Sequence, residues 1–157
     1  MKKKSLTAKK KIHNSILKHL TNQRILKIYK EFKNSLNINN NFAVAVSGGP
    51  DSLSLTFLAK CFSLINQLDV KFYIVDHRLR KDSSSEAKLV SLTLKKFNIN
   101  CQILTWHGNK PLTNIQALAR NKRYSLLTNQ CKKNKINYLL LGHHIDDLYE
   151  NFLIRLL

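Results

Sequence analysis

Phe42-Ala-Val-Ala-Val-Ser-Gly-Gly-Pro-Asp-Ser52 decides the fold. Phe42 to Val46 is the short, unbroken apolar run that a strand buried on both faces requires. Ser47 to Gly49 then turn the chain, and Pro50 suits the first turn of a helix, where no N–H is needed. From Pro50 to about Asn66 the apolar residues Leu53, Phe57, Cys61 and Leu64 recur at helical spacing. In this strand–turn–helix unit the two glycines let the backbone curl closely around a ligand. Free N–H groups at the helix start, with the Ser47 and Ser52 hydroxyls, make a cradle for a polyphosphate. Ser47, Gly48, Gly49, Pro50, Asp51 and Ser52 are therefore candidate nucleotide-binding residues. No Gly-Lys-Ser/Thr follows, which excludes the ordinary P-loop of ATPases and GTPases. Gly-Gly-Pro alone would serve a purely structural turn; Asp and Ser directly behind it favour the ligand-binding reading. Asp51 places negative charge where phosphates would sit, which is sensible if it holds Mg²⁺.

Outward from this unit, strands and helices alternate. Val70 to Val75 reads as a second strand, Asp82 to Phe97 as a helix with Ser83 to Ser85 offering caps, and Cys101 to Trp106 as a third strand. Leu112 to about Asn134 reads as a long helix, Tyr138 to Leu141 as a fourth strand, and a further helix begins at Ile145. The alternation predicts an α/β fold: a parallel sheet with right-handed crossovers and helices on both faces. Upstream, residues 1–40 form a basic arm followed by one or two amphipathic helices between Ile12 and Leu36, and the Asn-rich stretch Asn37 to Asn41 ends them. Residues 41–157 form the α/β domain.

Ligands of such sheets bind beyond the carboxyl ends of the strands, and three more motifs fall there or nearby. Val75-Asp-His-Arg-Leu-Arg80 ends the second strand: Asp76 or His77 can contact a nucleotide and Arg78 or Arg80 a phosphate, but a solvated turn reads equally well. Gly142-His-His-Ile-Asp-Asp-Leu-Tyr-Glu150 ends the fourth strand. Asp147 and Glu150 are three apart on one helical face, and Gly142, His143 and His144 precede them. Structural capping, a zinc site, and carboxylates facing a phosphate loop all remain open. The spacing is not His-Glu-x-x-His and no cysteine is near. Finally, Arg120 and Arg123 share a face within Ala119-Arg-Asn-Lys-Arg-Tyr124, where they can reach phosphate or RNA or form a solvated stripe.

The chain has 157 residues, 43% of them hydrophobic, enough for one domain with a real core. No run of about 18 apolar residues exists, so no membrane-spanning helix is expected. The lysine-rich N-terminus lacks an apolar h-region and does not read as a secretory signal; a transit peptide fits less well, since those favour Arg. Cys61, Cys101 and Cys131 form no Cys-x-x-Cys pair, which suits a reducing, cytoplasmic setting. The net charge of +18 points to a polyanionic partner, nucleic acid first. An A-rich coding sequence would also yield this abundance of Lys and Asn. More than half of the charge lies in residues 1–33, where 11 Lys or Arg face the single Glu31.

Ser47 to Ser52 resembles the SGGxDS signature of the PP-loop, or N-type, ATP pyrophosphatases. Together with Asp-His-x-Leu-Arg at Asp76 to Arg80, Ala-Arg-x-x-Arg-Tyr at Ala119 to Tyr124 and Gly-His-His-x-Asp-Asp-x-x-Glu at Gly142 to Glu150, it is most similar to the tRNA(Ile)-lysidine synthetases. The resemblance covers about Phe42 to Leu157. It implies an adenine nucleotide alpha hydrolase-like, Rossmann-like domain with a five-stranded parallel sheet, and ATP, Mg²⁺, L-lysine and a CAU-anticodon tRNA(Ile) as partners. A homodimer is compatible with it. The implied roles are catalysis by Asp51, Arg120, Arg123, Asp147 and Glu150, metal binding by Asp51 and Asp147, and nucleotide contacts from the Ser47 loop, Asp76, His77, Gly142, His143 and His144. The implied reaction adenylates the C2 oxygen of the wobble cytidine, after which the lysine amine displaces AMP. A tRNA thiolase and an inactive RNA-binding remnant are the alternatives; thiolases of this type carry Cys-x-x-Cys pairs, which this chain lacks. Tyr149 and Asn151 stand where the family often has Ala and Thr. Family members usually continue past this point, so the domain is expected to be incomplete at its C-terminus.

Overall fold

The computed structural model describes residues 15–108 and 113–142. A 3₁₀ turn at Lys18–Thr21 leads into helix α1 (Gln23–Ser35). Asn22 divides the two because its side chain caps α1, accepting from the N–H groups of Arg24 at 3.0 Å and Ile25 at 3.4 Å. Among the described residues the amphipathic region shows helical residues 15–17, the short turn and helix α1, with Tyr29 as the buried anchor of α1.

Strand β1 (Phe42–Val46) and helix α2 (Pro50–Asn66) follow, then β2 (Val70–Asp76), α3 (Ser83–Lys95), β3 (Cys101–Thr105), α4 (Ile115–Lys133) and β4 (Tyr138–Leu141). The strands form one parallel sheet in the order β3-β2-β1-β4, with Phe42 beside Val70 on one side and Tyr138 on the other. Pairing of Phe72 with Cys101 and of Asp76 with Thr105 sets the register of the outer strand. The expected five-stranded sheet shows four strands among the described residues.

Handedness explains the layering. From β1 the chain steps outward through β2 to β3, so right-handed crossovers place α2 and α3 on the same face. It then returns to the far side of β1, which puts α4 on the opposite face. The period-2 alternation of the strands serves both layers. Phe42, Val44, Val46, Phe72 and Ile74 join α1, α2 and α3 in the larger core, while Ala43, Tyr73 and Leu104 pack with Leu127 and Cys131 of α4.

The helix ends differ from expectation for local reasons. Helix α3 stops at Lys95, because Lys96 to Asn98 turn away with Asn98 in the left-handed region (φ 56°). Helix α4 begins at Ile115, and Leu112 lies outside the described residues. Strand β2 runs one residue further than predicted, to Asp76. Its carbonyl accepts from the Trp106 N–H at 2.9 Å, just past the end of β3.

Candidate functional site at the strand ends

The order β3-β2-β1-β4 reverses direction between β1 and β4, the topological switch point at which such sheets bind ligands. A cleft of about 360 Å³ opens there, within the range of small-molecule sites. Its floor is apolar and includes Ala45, Tyr73, Val75, Leu127 and Leu141; Ser47, Ser52, His77, Arg80, Glu86 and Arg123 supply its polar groups.

The Ser47 loop forms one wall. Gly48 has φ +88°, and a Cβ there would meet Val90 Cγ2 at 2.8 Å, so this position needs glycine for both its conformation and its space. Gly49 is the N-cap of α2, and its carbonyl accepts the Leu53 N–H at 2.9 Å. The buried Ser52 hydroxyl accepts the Ser47 N–H at 2.8 Å, clamping the loop across its base and keeping its own proton for donation. Thr56 donates to the Ser52 carbonyl at 2.7 Å and secures the next turn. Asp51 and Pro50 are exposed in the first turn of α2. Gly142, just after β4, closes against this loop: a Cβ on it would lie 2.9 Å from Ser52 Cα and 3.0 Å from Ser52 N.

At the end of β2, Asp76 takes a structural position. It is 4% exposed. Its Oδ1 accepts from the Arg78 N–H at 3.0 Å and the Ser83 hydroxyl at 2.9 Å, and its Oδ2 from the Ser84 hydroxyl at 2.6 Å. Burial works to raise its pKa, but the hydrogen bonds from Ser84, Arg78 and Ser83 and the charge of Arg78 prevail, and the net shift is downward. Of the three serines expected to cap α3, Ser83 and Ser84 therefore tie the helix to β2 instead, and Ser85 donates to the Asp82 carbonyl at 2.8 Å. Arg78 adopts φ 52° within this latch. Arg80 pairs with Glu86 of α3 at 3.3 Å, in an exposed position.

His77 and Arg123 meet across the cleft: Arg123 Nε donates to His77 Nε2 at 3.3 Å. Burial first, then the Arg123 charge, push the His77 pKa down, against the pull of Asp76. Arg120, three residues back on α4, does not line the cleft; its guanidinium lies 5.8 Å from the centre of the Tyr124 ring. The structure thus gathers Ser47, Ser52, His77, Arg123 and Gly142 around one cleft, whereas Gly48, Gly49, Pro50, Asp51 and Asp76 do not line it. His143, His144, Asp147 and Glu150 fall outside the described residues. Glu86, Ser83 and Val90 also line the cleft. The local sequence does not mark Glu86 or Val90 and marks Ser83 only as a cap, because their place follows from how α3 packs over β2 and β3. Among the described residues no three His, Cys, Asp or Glu side chains gather closely enough to hold a metal ion, and no helix is long and apolar enough to cross a membrane.

Residues 17–157 match the family of PP-loop domains. The tRNA(Ile)-lysidine synthase of Orientia tsutsugamushi (strain Boryong) is 44% identical over 119 residues, which cover 76% of this chain and 27% of that protein. The enzyme of the same name from Wolbachia pipientis wMel is 42% identical over 120 residues, 75% of this chain and 28% of that protein. That of Rickettsia bellii (strain OSU 85-389) is 36% identical over 137 residues, 82% of this chain and 31% of that protein. The chain thus spans about 30% of the length of these curated relatives. A solved U34-tRNA thiolase from Methanococcus maripaludis, with its 4Fe-4S cluster, shares the fold at a TM-score of 0.70 and 17% identity, over 85% of this chain and 50% of that one.

Proposed function

The chain belongs to the PP-loop domain family, and from that premise we propose that its cleft binds ATP and cleaves it to AMP and pyrophosphate in making lysidine on a tRNA. In this reading the C2 oxygen of the wobble cytidine of a CAU-anticodon tRNA(Ile) attacks the α-phosphate. Pyrophosphate leaves, and the ε-amine of L-lysine then displaces AMP from the base. The observation that carries the proposal is the clamped Ser47–Ser52 loop at the switch point, facing Arg123 across an open cleft. The lysidine synthases similar to this chain favour lysine as the incoming group.

Each part of the chemistry has a residue suited to it. N–H groups in the first turn of α2 have no intrahelical acceptor and favour an anion. With the Ser47 and Ser52 hydroxyls they would stabilise the departing pyrophosphate, where negative charge develops as the P–O bond breaks. Arg123, at the cleft wall, would bind the phosphoryl oxygens through its fork of donors. Arg120, on the same helix, is a second candidate for that role. Asp51 is an exposed carboxylate beside the loop, a hard oxygen donor of the kind Mg²⁺ takes, and Asp147 is proposed to share that ion. Bound there, Mg²⁺ would neutralise charge on the polyphosphate. His143 and His144 are assigned to phosphate contacts. Asp147 and Glu150 are assigned to orienting lysine and accepting its proton, since an amine with a pKa near 10.4 must become neutral to attack.

The fold likeness to a thiolase raises sulfur transfer as a second reading. The cysteines argue against it. Cys61 and Cys131 are buried, and Cys101 lies at the start of β3, away from the strand ends that bear the cleft. None lines the cleft, and burial pushes the thiols of Cys61 and Cys101 up to about 11, which leaves them unreactive.

The test is AMP release from α-labelled ATP with Mg²⁺ and unmodified CAU-anticodon tRNA, with and without lysine. The expected result is AMP that requires tRNA and increases with lysine. Production of ADP would overturn the pyrophosphatase assignment, and incorporation of sulfur instead of lysine would favour the second reading.

A further inference from the structure

The contact between Arg123 and His77 joins residues 46 apart in sequence, one on α4 and one after β2. Its chemistry is asymmetric. Because His77 Nε2 accepts, the proton of the neutral ring sits on Nδ1, which is buried without a hydrogen-bond partner among the described residues. An imidazolium could not accept from Arg123 at all, and it would set a second positive charge against the guanidinium. By taking Nε, His77 also leaves both terminal nitrogens of Arg123 for an anion in the cleft.

We propose that His77 is a positioning residue: as a neutral imidazole it holds Arg123 ready for the phosphates of a nucleotide, and protonation releases that hold. The proposal rests on the nucleotide-cleft reading above and assigns His77 no direct substrate contact. Among the described residues the charged groups near the ring are Asp76 and Arg78 beside it in the chain, Arg123 from α4, and the Arg80–Glu86 pair at the cleft wall. Asp76 favours the imidazolium, but its two oxygens are engaged by Ser83, Ser84 and the Arg78 N–H. Burial and Arg123 oppose the charged form and lower the ring's pKa from 6.5. The hold is therefore complete at neutral pH and fails in acid.

The experiment is binding of a fluorescent ATP analogue to the full chain between pH 5 and 8, in the wild type and in the His77→Gln and His77→Ala variants, with melting curves for each. Gln retains an acceptor but does not titrate. In the wild type, affinity is expected to fall about tenfold as pH drops below 6.5. His77→Gln is expected to keep most of the affinity at pH 8 and to lose that acid limb. His77→Ala is expected to bind about tenfold more weakly than the wild type at pH 8, to converge with it in acid, and to show by its melting temperature that it is folded. An identical acid limb in the wild type and His77→Gln would overturn the proposal and move the titration to another group. Full affinity in His77→Ala would do the same. Absence of binding by the wild type at pH 8 would instead sink the nucleotide reading on which it stands.

Discussion

Gly48 and Gly142 look alike in sequence, each a glycine just past a strand, but they are constrained differently. Gly48 needs a positive φ, and an added Cβ would press on the side chain of Val90. Gly48→Ala should therefore cost about 1–2 kcal/mol in backbone strain alone. The Cβ of Gly142→Ala would meet the backbone of Ser52, which cannot yield without moving the start of α2. That variant is expected to weaken nucleotide binding at least as much as it lowers the melting temperature; calorimetry and ATP titration on both variants would check the contrast. Asp76 makes a separate prediction. Its folded pKa lies below 3.8, so its contribution to stability is complete above that pH and is lost as pH falls through the lower folded value. Asp76→Asn should cost about 1–3 kcal/mol at pH 7, since an amide has one acceptor oxygen where the carboxylate uses two. It should also flatten the acid limb of the stability–pH curve measured by denaturant unfolding. A variant as stable as the wild type at pH 7 would refute the latch.

At the scale of elements, legibility followed locality. The strand β1, the loop and α2 were readable because apolar runs, Gly-Gly-Pro and helical spacing all lie within the segment they describe. The end of α3 was not, because a left-handed Asn98 leaves no periodic signal in the sequence. The latch role of Asp76 was hidden for another reason. Aspartate at a strand end reads as a ligand-binding group, and only the packing of α3 against β2 brings Ser83 and Ser84 onto it. The order of the strands was likewise unreadable, since pairing between distant segments depends on where the crossovers fold back. Helix α4 illustrates the consequence. Its apolar residues show little one-sided pattern, yet Leu127 is fully buried against the sheet, while Leu89 and Leu92 of α3 are 66% and 60% exposed. Leu127→Ala should cost about 2–5 kcal/mol, and Leu89→Ala or Leu92→Ala less than about 0.5 kcal/mol in the isolated chain. Urea unfolding measures the difference. A large loss at Leu89 would mean that the outer face of α3 is covered in solution.

For the whole molecule, the charge of +18 has to be reconciled with a cleft proposed to take a small polyphosphate. One nucleotide carries too little charge to account for it, whereas a tRNA presents phosphates along its whole surface. Lys2, Lys3, Lys4, Lys9, Lys10 and Lys11 are concentrated in the first eleven residues, and the proposed reaction calls for a tRNA surface beside the nucleotide cleft. The two affinities should therefore separate under salt. Binding of tRNA depends on counterion release and should drop steeply between 50 and 200 mM salt, with a slope that scales with the number of phosphates neutralised. ATP binding in a partly enclosed cleft should respond far less. Deleting residues 1–11 should flatten the tRNA slope by up to about 0.7–0.9 per lysine engaged and leave ATP affinity unchanged. Filter binding of CAU-anticodon tRNA across a salt series, beside titration of the nucleotide analogue, distinguishes the possibilities. Equal slopes with and without residues 1–11 would remove the arm from the tRNA surface and leave the basic residues of the α/β domain to supply it. A parallel loss of ATP affinity would show that the arm supports the cleft itself.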